Sequence, residues 1–347
     1  MNLVNAAFEN LAFVDDKIWF FSSTYNALFC YEKNAKYAKY MGSVSGEDLN
    51  ATRLFGSVHV FDDYVYLIPC NAKAIVRYHI VSQKFEKVYE LESDGDAKRF
   101  MASFRKGNVI YAFGFFSDKV LKYDMQENSY EYTLSLTSLL KDGEFNPKEP
   151  FFRNQCVSIE EYIYVPFYNM DGILIYNTKK DTGLVKRFSS RLMGYTGIVK
   201  REDTLICVPR KQDDDALLWN YVKDSIDIMV NKEQTGSIVS YCGGAFEGNR
   251  ICFYLMMADH NRFLEEIFDD ATVVCGNYLF VNQKEDKVVS YDGKNGILTV
   301  KDQLTENIQD IPIRIRESDR SLILNYDSHI LFEQDEQSLN SFLKFLY

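Results

Sequence analysis

Three arginines stand just ahead of hydrophobic, aromatic-rich runs: Arg53 in Thr52-Arg53-Leu-Phe, Arg99 in Lys98-Arg99-Phe-Met, and Arg153 in Phe152-Arg153-Asn154-Gln155. A guanidinium is a planar fork of donors matched to a carboxylate or a phosphate. A fourth run of the same kind opens with Gly194-Tyr195. Further along each run come short segments with the chemistry to finish a binding site. They read Pro69-Cys70-Asn71, Gly114-Phe115-Phe116, Pro166-Phe167-Tyr168-Asn169 and Pro209-Arg210-Lys211. Aromatic rings and amides beside cations suit an anion carried on a sugar or a nucleobase-like body. A proton could be moved there by Tyr168, Tyr195 or His59. The competing use is structural, each Arg pairing with an Asp or Glu of the neighbouring module.

Other chemistry is sparse. The four histidines (His59, His79, His260, His329) have no His-x-x-x-His spacing, and no Cys-x-x-Cys occurs. No metal site is expected from local motifs. No nucleophile elbow, P-loop or dinucleotide fingerprint is present, and no cofactor is expected. The acidic run Asp213-Asp214-Asp215 lacks the alternating ligands of a calcium loop and reads as a hairpin tip. His59 falls within a strand-like run, where a core histidine is the simpler reading.

What could gather residues about 50 apart in sequence is a repeat, and the chain has one. A polar pair precedes an aromatic strand, and a second strand ends in Tyr or Trp followed by Asp, Asn, Glu or His. The copies are Asp15-Asp16 with Tyr31-Glu32, Asp62-Asp63 with Tyr78-His79, and Gly107-Asn108 with Tyr123-Asp124. Glu160-Glu161 with Tyr176-Asn177, Glu202-Asp203 with Trp219-Asn220, and Gly276-Asn277 with Tyr291-Asp292 follow. Each copy divides by period-2 alternation into four strands, A to D. In the second, A is Phe55 to Phe61, B Tyr64 to Ile68, C Ala74 to His79 and D Lys84 to Leu91.

The fold expected is an all-β propeller of four-stranded blades filling residues 1–335. Seven blades are expected, eight being the alternative. The sixth copy, with strands near Tyr241 to Phe246 and Arg250 to Tyr254 ahead of the Gly276-Asn277 pair, is irregular, and either abbreviates its blade or carries a short helix at Asn261 to Phe268. The seventh would run from Ala271 to Lys301, and an eighth would use Ser321 to Asn325. Leu339, Phe342, Leu343 and Leu346 share one face of a short helix over residues 336–347. In such blades the D–A and B–C connections emerge on one face. The ligand-binding set is therefore Arg53, Asn71, Arg99, Phe116, Arg153, Asn154, Tyr168, Asn169, Tyr195 and Arg210.

These copies resemble kelch and PQQ/YVTN-like β-propeller repeats, in which a turn, an aromatic strand and a Tyr-Asp-ended strand recur in every blade. The resemblance covers nearly the whole chain and implies the fold. It implies no single activity, because propellers host lyases, hydrolases, oxidoreductases and scaffolds. The kelch double glycine occurs at only one inner strand, Gly243-Gly244.

The net charge of −11 argues against a generic nucleic-acid binder, which needs a basic face. No stretch approaches a membrane span, and the amino terminus carries no basic, apolar leader. Seven scattered cysteines in strand-like runs read as free thiols of a reducing cytoplasm. The function expected is recognition of a protein partner or an anionic small molecule, without catalysis. The alternative is a lyase or hydrolase acting on an anionic, carbohydrate-like substrate.

Overall fold

The computed structural model describes residues 2–91, 99–140, 149–153, 155–188, 194–211, 213–232, 241–247, 250–255, 264–268, 271–275, 287–292, 295–302 and 307–325. The fold is an all-β propeller. Contacts divide the chain into two compact units.

Unit 1 comprises Met1–Phe100, Gly293–Ile297 and Ile311–Tyr347. It holds two four-stranded blades. The first is β2 (Phe8–Val14), β3 (Lys17–Ser22), β4 (Leu28–Glu32) and β5 (Lys39–Gly42). The second is β6 (Phe55–Phe61), β7 (Tyr64–Pro69), β8 (Ala74–His79) and β9 (Lys84–Glu90). A two-stranded ribbon pairs β1 (Leu3–Asn5) with β29 (Arg314–Arg316), which leads into helix α1 (Glu317–Asn325).

Unit 2 comprises Met101–Asp292 and Leu298–Asp310. Its blades begin with β10 (Phe100–Lys106), β11 (Val109–Gly114), β12 (Lys119–Asp124) and β13 (Ser129–Ser135). The next is β14 (Val157–Ile159), β15 (Tyr162–Pro166), β16 (Gly172–Asn177) and β17 (Thr182–Arg187). Then come β18 (Tyr195–Arg201), β19 (Thr204–Pro209), β20 (Ala216–Asn220) and β21 (Ser225–Met229). The last holds β22 (Tyr241–Glu247), β23 (Arg250–Leu255), β24 (Leu264–Phe268) and β25 (Ala271–Cys275). A three-stranded sheet follows, of β26 (Lys287–Asp292), β27 (Ile297–Asp302) and β28 (Ile308–Pro312).

Among the described residues six four-stranded blades stand where seven were expected. The cause lies in β25, expected as the inner strand of a seventh blade. It pairs parallel with β23, so that the sixth sheet runs β22-β23-β25-β24 and the next is left with three strands. Residues 264–268, for which a short helix was one of two alternatives, form strand β24. Ser321 to Asn325, the strand of an eighth blade, belongs to α1 instead. A short helix near the carboxyl end is thus present, while residues 336–347 lie outside the described residues.

The repeated phrase has a physical explanation. Two-residue turns join A to B, as the pairs Val14↔Lys17, Phe61↔Tyr64, Ile159↔Tyr162 and Arg201↔Thr204 require. The first residue of each turn has a left-handed φ: 51° at Asp15, 48° at Asp62, 50° at Glu160 and 50° at Glu202. Short polar residues and Gly tolerate that region best, which accounts for Gly107 in the third copy.

Strands C and D are joined by four-residue turns, bounded by His79↔Lys84, Asp124↔Ser129, Asn177↔Thr182 and Asn220↔Ser225. The polar residue after Tyr or Trp caps this turn. Asp124 Oδ1 accepts the Gln126 and Glu127 amides at 2.9 and 3.0 Å, and Asn177 Oδ1 accepts those of Lys179 and Lys180, both at 3.0 Å. Asn220 Oδ1 accepts the Lys223 amide at 2.8 Å. The turn's last residue is again left-handed, and in unit 2 the strand-C aromatic reaches it: Tyr123 to Asn128 at 2.6 Å, Tyr176 to Asp181 at 2.9 Å, Trp219 to Asp224 at 2.9 Å.

The same aromatics pack between blades. A strand-B ring of one blade meets the strand-C ring of the next in Trp19–Tyr78, Tyr111–Tyr176 and Tyr164–Trp219, with centroids 5.8, 5.5 and 6.1 Å apart. Each pair contributes roughly 0.5–1.5 kcal/mol beyond its buried area. Charge follows the same step: Lys122 pairs with Asp181 and Lys186 with Asp224, both at 2.5 Å.

Replacing Asn177 by Ala removes two amide acceptors. It should cost about 1–2 kcal/mol, read as a lower urea midpoint at unchanged slope; an unmoved midpoint would show the cap to be idle. The Asp224 carboxyl is held below its usual range, by the Lys186 ammonium first and the Trp219 indole second. A depressed carboxyl stabilises above its unfolded titration range, and that stability is lost as pH falls through the folded value. Asp224→Asn should therefore be less stable than the parent at neutral pH, with the gap closing below the ordinary carboxylate range. A gap independent of pH in chemical denaturation would refute the assignment.

Candidate functional site

Within each unit a hydrogen-bonded relay joins B–C and D–A connections. In unit 1, Arg53 N donates to Ser23 O (3.0 Å), Asn71 N to Arg53 O (3.1 Å) and Arg99 N to Cys70 O (2.9 Å). In unit 2, Phe151 N donates to Phe115 O (2.7 Å), Tyr168 N to Phe151 O (2.6 Å) and Tyr195 N to Phe167 O (2.7 Å). Arg210 N reaches Gly194 O (3.1 Å), and Tyr241 N reaches Arg210 O (3.2 Å). The B–C loops of the first five blades are thus tied to the entry of the blade that follows, as the four-strand reading requires. The relay position equivalent to Arg53 and Arg99 is Phe151 in the fourth blade; Arg153 stands two residues further in.

In unit 1 the candidates have internal partners. Arg53 Nε pairs with Glu9 Oε1 of the preceding blade at 2.6 Å, the structural use weighed against ligand binding. Arg99 is buried, with Nη1 donating to Lys73 O at 3.1 Å. Asn71 Nδ2 donates to Thr52 O at 2.8 Å. His59 is buried on β6.

In unit 2 the candidates converge on Tyr168. The Arg153 guanidinium lies 4.7 Å from its ring centroid and that of Arg210 4.4 Å, and Arg153 Nη2 reaches the Tyr168 hydroxyl at 3.5 Å. Phe115 adds a second ring under Arg153, 5.9 Å away. Phe116, the neighbour expected in this role, packs edge-on against Phe115 at 4.6 Å. Three successive B–C loops therefore supply Phe115, Tyr168 and Arg210. Among the described residues neither Arg153 nor Arg210 has a carboxylate within ion-pair distance, and Arg153 Nε is buried without a hydrogen-bond partner. Each cation–π contact stabilises by roughly 0.5–2 kcal/mol, which does not neutralise two positive charges at one ring. An anion would.

No family model matches the sequence, and neither does any curated protein. Several solved structures do share its architecture. Virginiamycin B lyase from Staphylococcus aureus matches with a TM-score of 0.53 at 11% identity, over 91% of this chain and 89% of that one. BamB from Moraxella catarrhalis gives 0.56 at 11%, over 85% of both chains. A chain of the mitotic checkpoint complex gives 0.53 at 9%, over 90% and 91%. These likenesses show a β-propeller. The resemblance to kelch and PQQ/YVTN repeats holds at the level of that fold.

Two buried acceptors also lie on the Tyr168 loop. Tyr195 donates its hydroxyl to Asp171 Oδ1 at 2.5 Å, leaving Asp171 Oδ2 buried and unpartnered. Asn169 Oδ1 is also buried without a partner. Asp171 was missed in the sequence, where only the turn before Gly172 marks it. Asn154 lies outside the described residues. Beneath the loop, Cys207 is fully buried, and desolvation followed by the Asp171 charge pushes its thiol up. Among the described residues no three His, Cys, Asp or Glu side chains could jointly hold a metal ion. No helix among them is long and apolar enough to cross a membrane.

Gly194 sets the approach of these loops. Its φ is +124°, and a Cβ there would stand 2.3 Å from Tyr168 O, a backbone atom that cannot swing away. Gly194→Ala should cost about 1–3 kcal/mol and weaken any ligand of the Arg153–Tyr168–Arg210 cluster. An unchanged melting temperature would mean that the two loops are not held in this apposition.

Proposed function

We propose that the protein is a recognition propeller without catalysis, and that the unit 2 cluster of Arg153, Tyr168 and Arg210 holds an anion. The anion is a carboxylate or phosphate borne by a small molecule or by a protein partner's surface. The observation carrying this reading is the meeting of two guanidinium groups at one buried tyrosine ring, with no described carboxylate paired to either. Arg forks offer two parallel charge-assisted bonds to such a group, and the ring and Phe115 offer it an apolar bed.

The alternative of proton-transfer catalysis gains less support. The Tyr195 hydroxyl is engaged by Asp171, and His59 is buried on β6. The fold itself does not choose, since a lyase and a chain of a multiprotein complex share it. We also propose that the protein is cytoplasmic, a reading supported by the buried thiols Cys30 and Cys207, which form no disulfide among the described residues.

The test is a thermal-shift and calorimetric screen of the intact chain with citrate, glucuronate, adenosine monophosphate and a short oligo-glutamate peptide. At least one should bind saturably and more weakly as salt rises. Arg153→Gln and Arg210→Gln should each weaken it about tenfold or more, the worth of a charge-assisted hydrogen bond. Binding that both variants leave unchanged, or no binding by any probe, would reject the reading.

A further inference from the structure

The exposed apolar side chains of the described residues are not evenly spread. Val222, Ile226, Ile228 and Val230 are 64, 42, 38 and 60% exposed, and all lie within one nine-residue stretch of the fifth blade. Three of them follow strand periodicity, so Ile226, Ile228 and Val230 share one face of β21 and its continuation. β21 is the edge strand of its sheet, in the order β18-β19-β20-β21. Two other outer strands carry more charge, β9 with Lys84, Glu86, Lys87 and Glu90 and β17 with Lys186-Arg187, whereas β5 and β13 carry one charge each, Lys39 and Glu131, without a row of exposed aliphatic residues. Edge strands ordinarily carry such charges to prevent pairing with other chains. β21, Ser225-Ile-Asp-Ile-Met229, has Asp227 alone.

That one charge is placed on the pairing edge. Ile228 N donates to Asp227 Oδ1 at 2.8 Å, so the carboxylate of the preceding residue occupies an amide that a docking strand would use. A partner carbonyl could take over the amide and release the carboxylate to a cation.

We propose that β21 is a strand-addition surface for an extended segment of another protein, with aliphatic residues at alternate positions and a Lys or Arg between them facing Asp227. The apolar positions would extend the Ile226–Ile228–Val230 face, and the cation would lie on the opposite face with Asp227. The occupant is not a second copy of this chain. The antiparallel register that opposes Ile226 to Ile228 stacks Asp227 on Asp227, and like charges directly opposite destabilise a sheet. The chain's net charge of −11 adds to that repulsion. This surface is independent of the anion site.

The test uses the full chain and two capped heptapeptides, Thr-Val-Lys-Val-Thr-Val-Thr and its twin with Glu for Lys. The Lys peptide should bind saturably and slow amide hydrogen exchange in β21 while leaving β13 and β17 unchanged. It should bind about two- to fivefold more tightly than the Glu twin, the range of one cross-strand ion pair. Asp227→Asn should erase that preference. Ile228→Lys, at an exposed position and so expected to leave the melting temperature unchanged, should weaken binding about tenfold or more. Arg153→Gln should change nothing. Equal binding of the twins, protection away from β21, or a concentration-dependent dimer that Ile228→Lys dissolves would each overturn the proposal.

Discussion

The backbone relay between B–C and D–A connections is the constraint on which the rest depends. These connections carry exposed polar backbone at the ends of sheets, where donors and acceptors need partners. By giving Phe151, Tyr168, Tyr195, Arg210 and Tyr241 partners in adjoining loops, the relay fixes where successive blades begin within unit 2. The same interaction repeats in unit 1 through Arg53, Asn71 and Arg99. Side chains far apart in sequence become neighbours because their backbones are bonded.

Among the three D–A arginines, position relative to the relay separates those with internal partners from the one without. Arg53, on the relay itself, has a left-handed φ of 52° and turns its side chain to Glu9. Arg99, also on the relay, returns a hydrogen bond to the backbone at Lys73. Arg153 stands two residues beyond the relay position, and its guanidinium meets rings instead of a carboxylate. A pair such as Arg53–Glu9, with the Arg side chain 46% exposed, contributes at most about 1 kcal/mol. The cost of the arrangement is concentrated at Arg153, whose Nε is desolvated without a partner. A buried donor left unmet costs roughly 1–3 kcal/mol, which a ligand would recover.

The strands were legible because turn chemistry and pleat periodicity agree. Phe55–Phe61, Ala74–His79 and the third to fifth repeats lie where alternation places them, and the Tyr-Asp or Tyr-Asn ending is a turn cap whose need for a short acceptor is local. Blade number was not legible. Nothing in the alternation of Ala271–Cys275 tells whether it opens a new sheet or inserts parallel to β23, because pairing partner and direction are non-local. The site was half legible: residue types in the B–C loops named Tyr168 and Arg210. The two-residue offset of Arg153, the choice of Phe115 over Phe116 and the Tyr195–Asp171 bond depend on irregular loop backbone, which no period describes.

Loops are poor foundations for recognition unless something stiffens them, since fixing a flexible segment on binding costs affinity. Here three devices act on the same stretch. Pro166 and Pro209 stop the ladder and fix φ where the fourth and fifth B–C loops begin. The relay then bonds Tyr168 N and Arg210 N to adjoining loops, and Gly194 admits the Tyr168 carbonyl at a distance no Cβ would allow. Long cationic side chains set on such a base lose less freedom when they close on an anion, so part of the ordering cost of binding is already met when the blades fold.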